Sequence, residues 1–412
     1  MSDGVLFVHA GFPAQFRDLA GVLCARGVDC RAIGGPDANP FPGIPLERWS
    51  YFRGTAPGIF PLATRAEADL IRARGALEAA RRLKDGGFSP RLIIGHPGWG
   101  ETVLLREVFP EARQILFHEF FYAGRGLDID FDVEFIQPNE NGIFAGTTKN
   151  AVMALAFSQA DVLVTPTPFQ ASTLPPVFHS RLRIIHEGVD LAAVTPGPAA
   201  PFPLADGRVI AADAPTITHV NRNLEPLRGM HILLRALPTL QAKVPEAQVV
   251  IAGTASQRGY SGPAPEGKTW KQVAMEGLEG RLDLSRIHFT GPLPRERLLA
   301  AMRLSCAHVY YTYPFVLSWS LAEAMAAGCY VVGSDTAPVR DAVKDGENGR
   351  LLDFFDVDGL SAALVDACRN PQTKAPLRAA ARRTAEAMFD REAGRRAWLA
   401  LIEEVAGIRV GL

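Results

Sequence analysis

Residues 308–328 read HVYYTYPFVLSWSLAEAMAAG. The opening five are the β-branched, aromatic and small polar residues that suit a strand. Pro314 stops that strand, a helix beginning near Leu317 to Ser320 runs to Ala327, and Gly328 supplies its C-terminal stop. A strand passed to a helix through a short loop is part of a βαβ unit, so the stretch predicts an α/β fold.

The same alternation extends in both directions. Upstream, Val5 to His9, Arg91 to Ile94, Gln114 to Phe117 and Val162 to Thr165 are short apolar runs bounded by turn residues, which predicts buried parallel strands. Helical stretches are expected between them, at Arg65 to Lys84 and Glu101 to Phe109. The pattern breaks at 194–203, VTPGPAAPFP, where proline excludes both helix and central strand. It restarts with strands at Thr216 to Val220, Gln248 to Ala252, Ile287 to Phe289 and Tyr330 to Gly333. A helix from about Met230 to Ala242 carries Leu233, Leu234, Leu237 and Leu240 on one face. The expected architecture is α/β, with two Rossmann-like doubly wound domains at 1–192 and 193–388. A helical tail, 389–412, either caps the second domain or crosses back to the first. Two such sheets in tandem can turn their carboxyl ends to a shared cleft, the place where α/β sheets bind ligands.

Composition excludes several functions. Lys and Arg number 43 and Asp and Glu 44, so no basic stripe marks a nucleic-acid binder. The cysteines are five, an odd number, with no Cys-x-x-Cys pair, which argues against a disulfide framework or zinc site and for a reducing compartment. Met1 to Gly4 has no basic leader region, and the apolar stretch 151–169 is interrupted by Ser158, Gln159 and Asp161. A cytoplasmic protein is expected. Peripheral membrane contact stays open because Arg72, Arg74, Arg81, Arg82 and Lys84 share one helix, although Glu67, Asp69 and Glu78 are interleaved with them.

The loop and helix at 313–328 carry the most chemistry. The first turn of a helix leaves backbone N–H groups without partners, and its dipole favours an anion there. Ser318 and Ser320 add hydroxyls, and Glu323 follows within the helix, where its carboxylate can accept hydrogen bonds from ribose hydroxyls. The plain reading is that the serines only cap the helix and Glu323 is solvated. In the first half, GHPGWGE at 95–101 lacks both the Gly-x-Gly-x-x-Gly spacing and a Lys-Ser/Thr ending, so dinucleotide and P-loop readings fail. Trp99 there either stacks on a sugar or packs, and Glu119 and Tyr122 are candidates to line an acceptor pocket.

EAMAAG followed by CYVVGSDTAPVRDAVKDGENGRLL resembles the signature of family 4 retaining glycosyltransferases, the glycosyl transferases group 1, which have the GT-B fold. The resemblance implies transfer of a sugar from a nucleotide diphosphate sugar, UDP-, GDP- or ADP-linked, to an acceptor hydroxyl. In that family two Glu have seven residues between them, and the second binds the donor ribose. Glu323 matches the second, whereas Phe315 stands where the first, a sugar contact, is expected. The backbone at Phe315, Val316, Leu317 and Ser318 would then face the donor.

THVNRNLEPLRG at 218–229 is similar to the family's Arg…Lys-Gly grip on the diphosphate, with Arg222 as the Arg and Arg228 where Lys is usual. HFTGPLP at 288–294 resembles the nucleobase loop and includes Pro292, and Gly11 matches a glycine of the first-domain loop. IIHEGVD at 184–190 resembles the phrase that ends the first domain. His118, closing the strand Gln114 to Phe117, matches a histidine near the reactive sugar, and as a residue type it serves equally to donate, to take a proton or to hold structure.

Asp128, Asp130 and Asp132 form overlapping Asp-x-Asp pairs, but a cationic grip and a helix N-terminus would do a metal's electrostatic work, so no metal and no cofactor are expected. Acceptors in keeping with the resemblance are a glycan, a lipid-linked sugar, a small molecule or a protein. A nucleotide-sugar epimerase and a GT-B scaffold that has lost catalysis remain alternatives. A phosphorylase would need a pyridoxal-phosphate lysine, for which Lys243, Lys268 and Lys271 offer no context.

Overall fold

The computed structural model describes residues 4–135 and 140–410, the Glu266 side chain excepted. It divides into two compact units. The first comprises Met1–Asp130, Pro138–Glu187 and Arg391–Leu412, and the second Phe131–Gln137 and Gly188–Asp390. The chain passes to the second unit a few residues before the 192/193 joint read from the sequence, and the tail from Arg391 groups with the first unit. The short segment from Phe131, which the sequence reading left in the first domain, belongs to the second.

The first unit is built on seven parallel strands: β1 (Gly4–Val8), β2 (Cys30–Gly34), β3 (Leu46–Arg48), β4 (Pro90–Gly95), β5 (Arg113–Phe117), β6 (Val162–Thr165) and β7 (Leu182–Ile184). Their order is β3-β2-β1-β4-β5-β6-β7. All of β1 and β6 and most of β4 and β5 are buried, because helices cover both faces and leave no side of these strands for water. One face packs on helix Arg17–Ala25 and on Trp398, Leu399 and Ile402 of helix Arg391–Ala406; the other packs on helix Thr64–Asp85. The order reverses between β1 and β4, which creates a crevice at their carboxyl ends.

The second unit opens with a two-strand hairpin, β8 (Phe202–Pro203) and β9 (Val209–Ile210), followed by β10 (Thr216–Asn223) and β11 (Gln248–Thr254). A second small hairpin pairs β12 (Arg258–Gly259) with β13 (Gly262–Pro263). The series ends with β14 (Ile287–Gly291), β15 (Ala307–Tyr310), β16 (Val331–Ser334) and β17 (Arg350–Leu352). Six of these form a parallel sheet in the order β14-β11-β10-β15-β16-β17, which reverses between β10 and β15. The stretch quoted at the outset is β15, its loop and helix Trp319–Ala326, which buries Leu321, Ala322, Ala324, Met325 and Ala326.

One expected helix is absent. Residues 101–109 form turns and a single 3-10 turn, Leu105–Glu107, instead of a helix. Val103, Leu105, Val108 and Phe109 are all buried from these turns, so tertiary packing outweighs a helical preference too short to nucleate alone.

Candidate functional site

In the second unit the reversal of strand order brings together two loops: the one after β10, with Arg228, and the one after β15, with residues 311–318. Arg228 is 7% exposed, and its Nη1 donates to Thr312 Oγ1 at 3.0 Å and to the Val316 carbonyl at 3.2 Å. The guanidinium is therefore held in place while its other nitrogens meet no acceptor among the described residues. Gly229 explains why Arg228 is followed by glycine: its φ is +68°, and a Cβ would lie 2.3 Å from that of Tyr311. Arg222 is exposed at the end of β10, four positions before the turn that carries Arg228 begins at Pro226.

Helix Trp319–Ala326 starts in the second loop. Ser318 caps it, accepting from the Ser320 amide at 3.0 Å, and the two serine hydroxyls lie 2.6 Å apart. The Ser318 amide is taken by the Tyr310 hydroxyl at 2.8 Å. These serines are thus caps first, and the amides left open are others. Among the described residues, no group accepts the N–H of Val316, Leu317 or Trp319. Val316 and Leu317 are themselves buried, while Trp319 is exposed. Such a cluster beside a fixed guanidinium is suited to an anion.

Glu323 is one turn further on, and its Oε1 lies 3.7 Å from Arg295 Nη2. Burial pushes its carboxyl above the usual value, against the pull of Arg295. Phe315 is 1% exposed and packs on Tyr260 of the β12–β13 turn at 5.1 Å, while its amide donates to the Tyr313 carbonyl. A ring in that position cannot replace a carboxylate's hydrogen bonds. Pro292 is exposed just after β14, two strands from β10.

In the first unit the crevice between β1 and β4 collects residues the sequence reading passed over. His9 and His96 end these two strands, are nearly fully buried, and have ring centroids 5.2 Å apart. His9 Nδ1 accepts from the Gly11 amide at 2.9 Å, and His96 Nδ1 from the Gly98 amide at 3.1 Å. With Nδ1 accepting, the ring proton sits on Nε2. In His96 that atom is 3.4 Å from Glu119 Oε2. Burial, then the neighbouring His96, lowers the His9 pKa to about 3. Trp99 stacks on His96 at 4.7 Å, so one of its faces is used in packing. Gly98 must approach this closely, since a Cβ there would lie 2.5 Å from His96 Cε1. Glu101 is fully buried, and its carboxylate meets no partner from another described residue. Burial raises its pKa to about 7.

Tyr122 lies under the Lys149 ammonium, 3.4 Å from ring centroid to Nζ. Burial and then repulsion from Arg65 lower Lys149 to about 8. His118 goes elsewhere. It is 0% exposed, with Nε2 3.0 Å from the Gln170 carbonyl and 3.3 Å from Thr173 Oγ1. Burial lowers its pKa to about 4. The ring ties β5 to helix Pro168–Thr173.

The three acids at 128–132 do not act together. Asp128 is half-buried and desolvation raises it to about 6, Asp130 accepts from Gly126, and Asp132 lies in the second unit. The basic helix Thr64–Asp85 has its charges matched: Arg72 with Asp69, Arg74 and Arg81 with Glu78, and Arg82 with Glu47, while Lys84 caps the Val108 carbonyl. Among the described residues, no helix is long and apolar enough to cross a membrane.

Two doubly wound parallel-sheet units, each with polar groups at its strand-order reversal, place the chain in the nucleotide-binding α/β class and in its two-unit GT-B form. Residues 26–194 match the Glycosyl transferase family 4 group and residues 214–370 the Glycosyl transferases group 1, and the chain belongs to this glycosyltransferase family. It is 33% identical over 195 residues to the phosphatidyl-myo-inositol mannosyltransferase of Mycolicibacterium smegmatis, covering 46% of this chain and 44% of the relative. It is 29% identical over 211 residues to the D-inositol 3-phosphate glycosyltransferase of Mycolicibacterium vanbaalenii, covering 50% and 45%. These matches span under half the length of the curated relatives. Among solved structures, sucrose-phosphate synthase from Thermosynechococcus elongatus aligns over 98% of both chains with a TM-score of 0.75 and 18% identity. Anabaena HepE in complex with UDP and glucose aligns over 97% of this chain and 99% of its own, with a TM-score of 0.66 and 15% identity.

Proposed function

We propose that this protein is a retaining hexosyltransferase that moves a sugar from a UDP-, GDP- or ADP-linked donor to an acceptor hydroxyl in glycoconjugate or polysaccharide synthesis. One observation carries the reading: in the second unit, the immobilised Arg228 guanidinium stands in the loop that adjoins the open amides of Val316, Leu317 and Trp319. Arg222 brings a second cation on the same βα connection, and Glu323 is the carboxylate for the ribose. The HepE complex, which holds UDP and glucose, supports a nucleoside diphosphate as the donor's leaving part.

In the reaction the bond from the anomeric carbon to the diphosphate oxygen breaks and a bond to the acceptor oxygen forms. The acceptor's proton goes to the departing diphosphate. Negative charge grows on that leaving group, so fixed donors aimed at it stabilise the transition state more than the ground state. These groups supply the electrostatics by themselves, and the proposal includes neither metal nor cofactor. The acceptor, whether glycan, lipid-linked sugar, small molecule or protein, is assigned to the first unit, with Trp99, Glu119 and Tyr122 as its candidate contacts. A cytoplasmic setting, with or without peripheral membrane contact, completes the reading.

The test is calorimetric titration with UDP, GDP and ADP, then screening of the matching nucleotide sugars with acceptor extracts and NMR of the product's anomeric configuration. Binding of one nucleoside diphosphate, weakened in Arg228→Ala, is expected. No affinity for any of the three would refute the proposal, and product with inverted configuration would refute the retaining part.

A further inference from the structure

Residues 131–135, FDVEF, lie between first-unit segments in sequence yet pack on the second unit. Phe131 meets Tyr313, Phe354 and Phe355 at ring-centroid distances of 5.1, 5.2 and 5.4 Å. Phe135 meets His231 at 4.9 Å and Trp270 at 5.8 Å. Between these two anchors Asp132 is 1% exposed, and its Oδ2 accepts from the Tyr313 hydroxyl at 2.6 Å. His231 Nε2 lies 3.1 Å from the same oxygen. Asp132 Oδ1 accepts from the Glu134 amide at 3.1 Å, and Glu134 is gripped through both oxygens by Arg235.

Asp132, Glu134 and His231 bring ligand atoms within 4.8 Å of one another, which raises the question of a cation. The surrounding donors answer it. A metal would have to displace the Tyr313 hydroxyl from Asp132 and the Arg235 guanidinium from Glu134, so both carboxylates already have donors. The group is an anchor, and the residue it anchors is Tyr313.

Tyr313 joins the two loops of the candidate donor site. Its amide donates to the Leu227 carbonyl at 3.0 Å, next to Arg228, and its carbonyl accepts from Phe315. Its backbone therefore fixes the spacing between the guanidinium and the open amides at 316, 317 and 319. The 131–135 segment holds the side chain of Tyr313, and Asp132 does so by a charged hydrogen bond in a buried setting, the strong kind. We propose that Asp132 is a positioning residue, which sets the geometry of the donor diphosphate site by immobilising Tyr313. The proposal rests on the donor reading given above.

The test is titration of the full chain with UDP, GDP and ADP, at a temperature where circular dichroism shows every variant folded. Asp132→Ala and Tyr313→Phe are each expected to weaken the nucleoside diphosphate roughly tenfold, the equivalent of one charged hydrogen bond. The double variant is expected to be no weaker than Asp132→Ala, because both remove one contact. Asp132→Asn, which keeps an oxygen to accept from Tyr313, is expected to recover most of the affinity. If Asp132→Ala does not fold, Tyr313→Phe decides, since it deletes a single oxygen. Lower melting temperatures with unchanged affinity, or losses that add in the double variant, overturn the proposal. A wild-type chain that binds none of the three overturns the donor reading itself, and a binding wild type with indifferent variants overturns only the role of Asp132.

Discussion

Replacing Glu101 by Gln is expected to make the first unit more resistant to heat above neutral pH and to change little near pH 4.5. Glu101 is 0% exposed, and burial raises its pKa from 4.5 to about 7. Between those values the unfolded chain has lost the proton while the folded chain keeps it. The folded state then binds more protons, so stability falls as pH rises, beginning near 4.5 and levelling off above 7. A shift of this size is equivalent to about 3 kcal/mol. For a unit of this length that is a melting-temperature change of roughly 6–12 °C.

Other groups titrate nearby with the opposite sign. His9, His118 and His186, all in the first unit, have pKa values lowered by burial to about 3, 4 and 4, so their contribution is lost as pH falls below 6.5. They are common to both proteins and cancel in the difference. Scanning calorimetry of wild type and Glu101→Gln from pH 4.5 to 8.5 isolates the carboxylate. The variant's relative stability should climb through pH 5–7 and then stay flat. A difference that does not vary with pH would refute the assignment of a buried, uncompensated carboxyl at this position.

Arg228→Ala should weaken nucleoside diphosphate binding about 10- to 100-fold, as expected for one charged hydrogen-bonding group, and Arg228→Lys should restore only part, because Arg228 holds Thr312 and the Val316 carbonyl through Nη1 alone and keeps its other nitrogens for the diphosphate, whereas one ammonium would have to serve all three; calorimetric titration checks both. Gly229→Ala should lose at least 1 kcal/mol of stability to strain at φ +68°, and more through the clash with Tyr311, measured by denaturant unfolding. His118→Ala should lower the melting temperature of the first unit and leave nucleotide affinity unchanged, since its ring bonds Gln170 and Thr173. Gly98→Ala should force the His96 ring off its Nδ1 bond, so the imidazole nitrogen NMR signals of His96, which should report a proton on Nε2 in the wild type, should lose that pattern.

Most central strands were legible because helices cover both of their faces: β1 and β6 are wholly buried and read as apolar runs. Three of the four edge strands of the two large sheets were not. β3 is LER, β7 is LRI and β17 is RLL, each three residues long and partly exposed, and such triplets do not stand out from a loop. At the candidate site, Arg228 was legible as a candidate because it sits in the loop just past β10, and Glu323 because it sits in the first turns of the helix that follows β15. His118 shared that sequence position but turned into the core, since a residue's place at a strand end does not say which neighbours its ring will meet. His96 was missed although it too ends a strand; a signal was present in the glycine two residues on, which only a ring packed against the backbone requires. Asp132 gave no signal of that kind. Leu127, Ile129, Phe131, Val133 and Phe135 alternate with acids at the period of a strand, yet the segment forms turns, so its pattern points away from its actual contacts. The role of Asp132 is conferred by Tyr313, 181 residues away, whose hydroxyl needs an acceptor once it is buried. Local patterns can reveal where a loop will present its own atoms, whereas the partner of a buried hydroxyl is chosen by the folded chain as a whole.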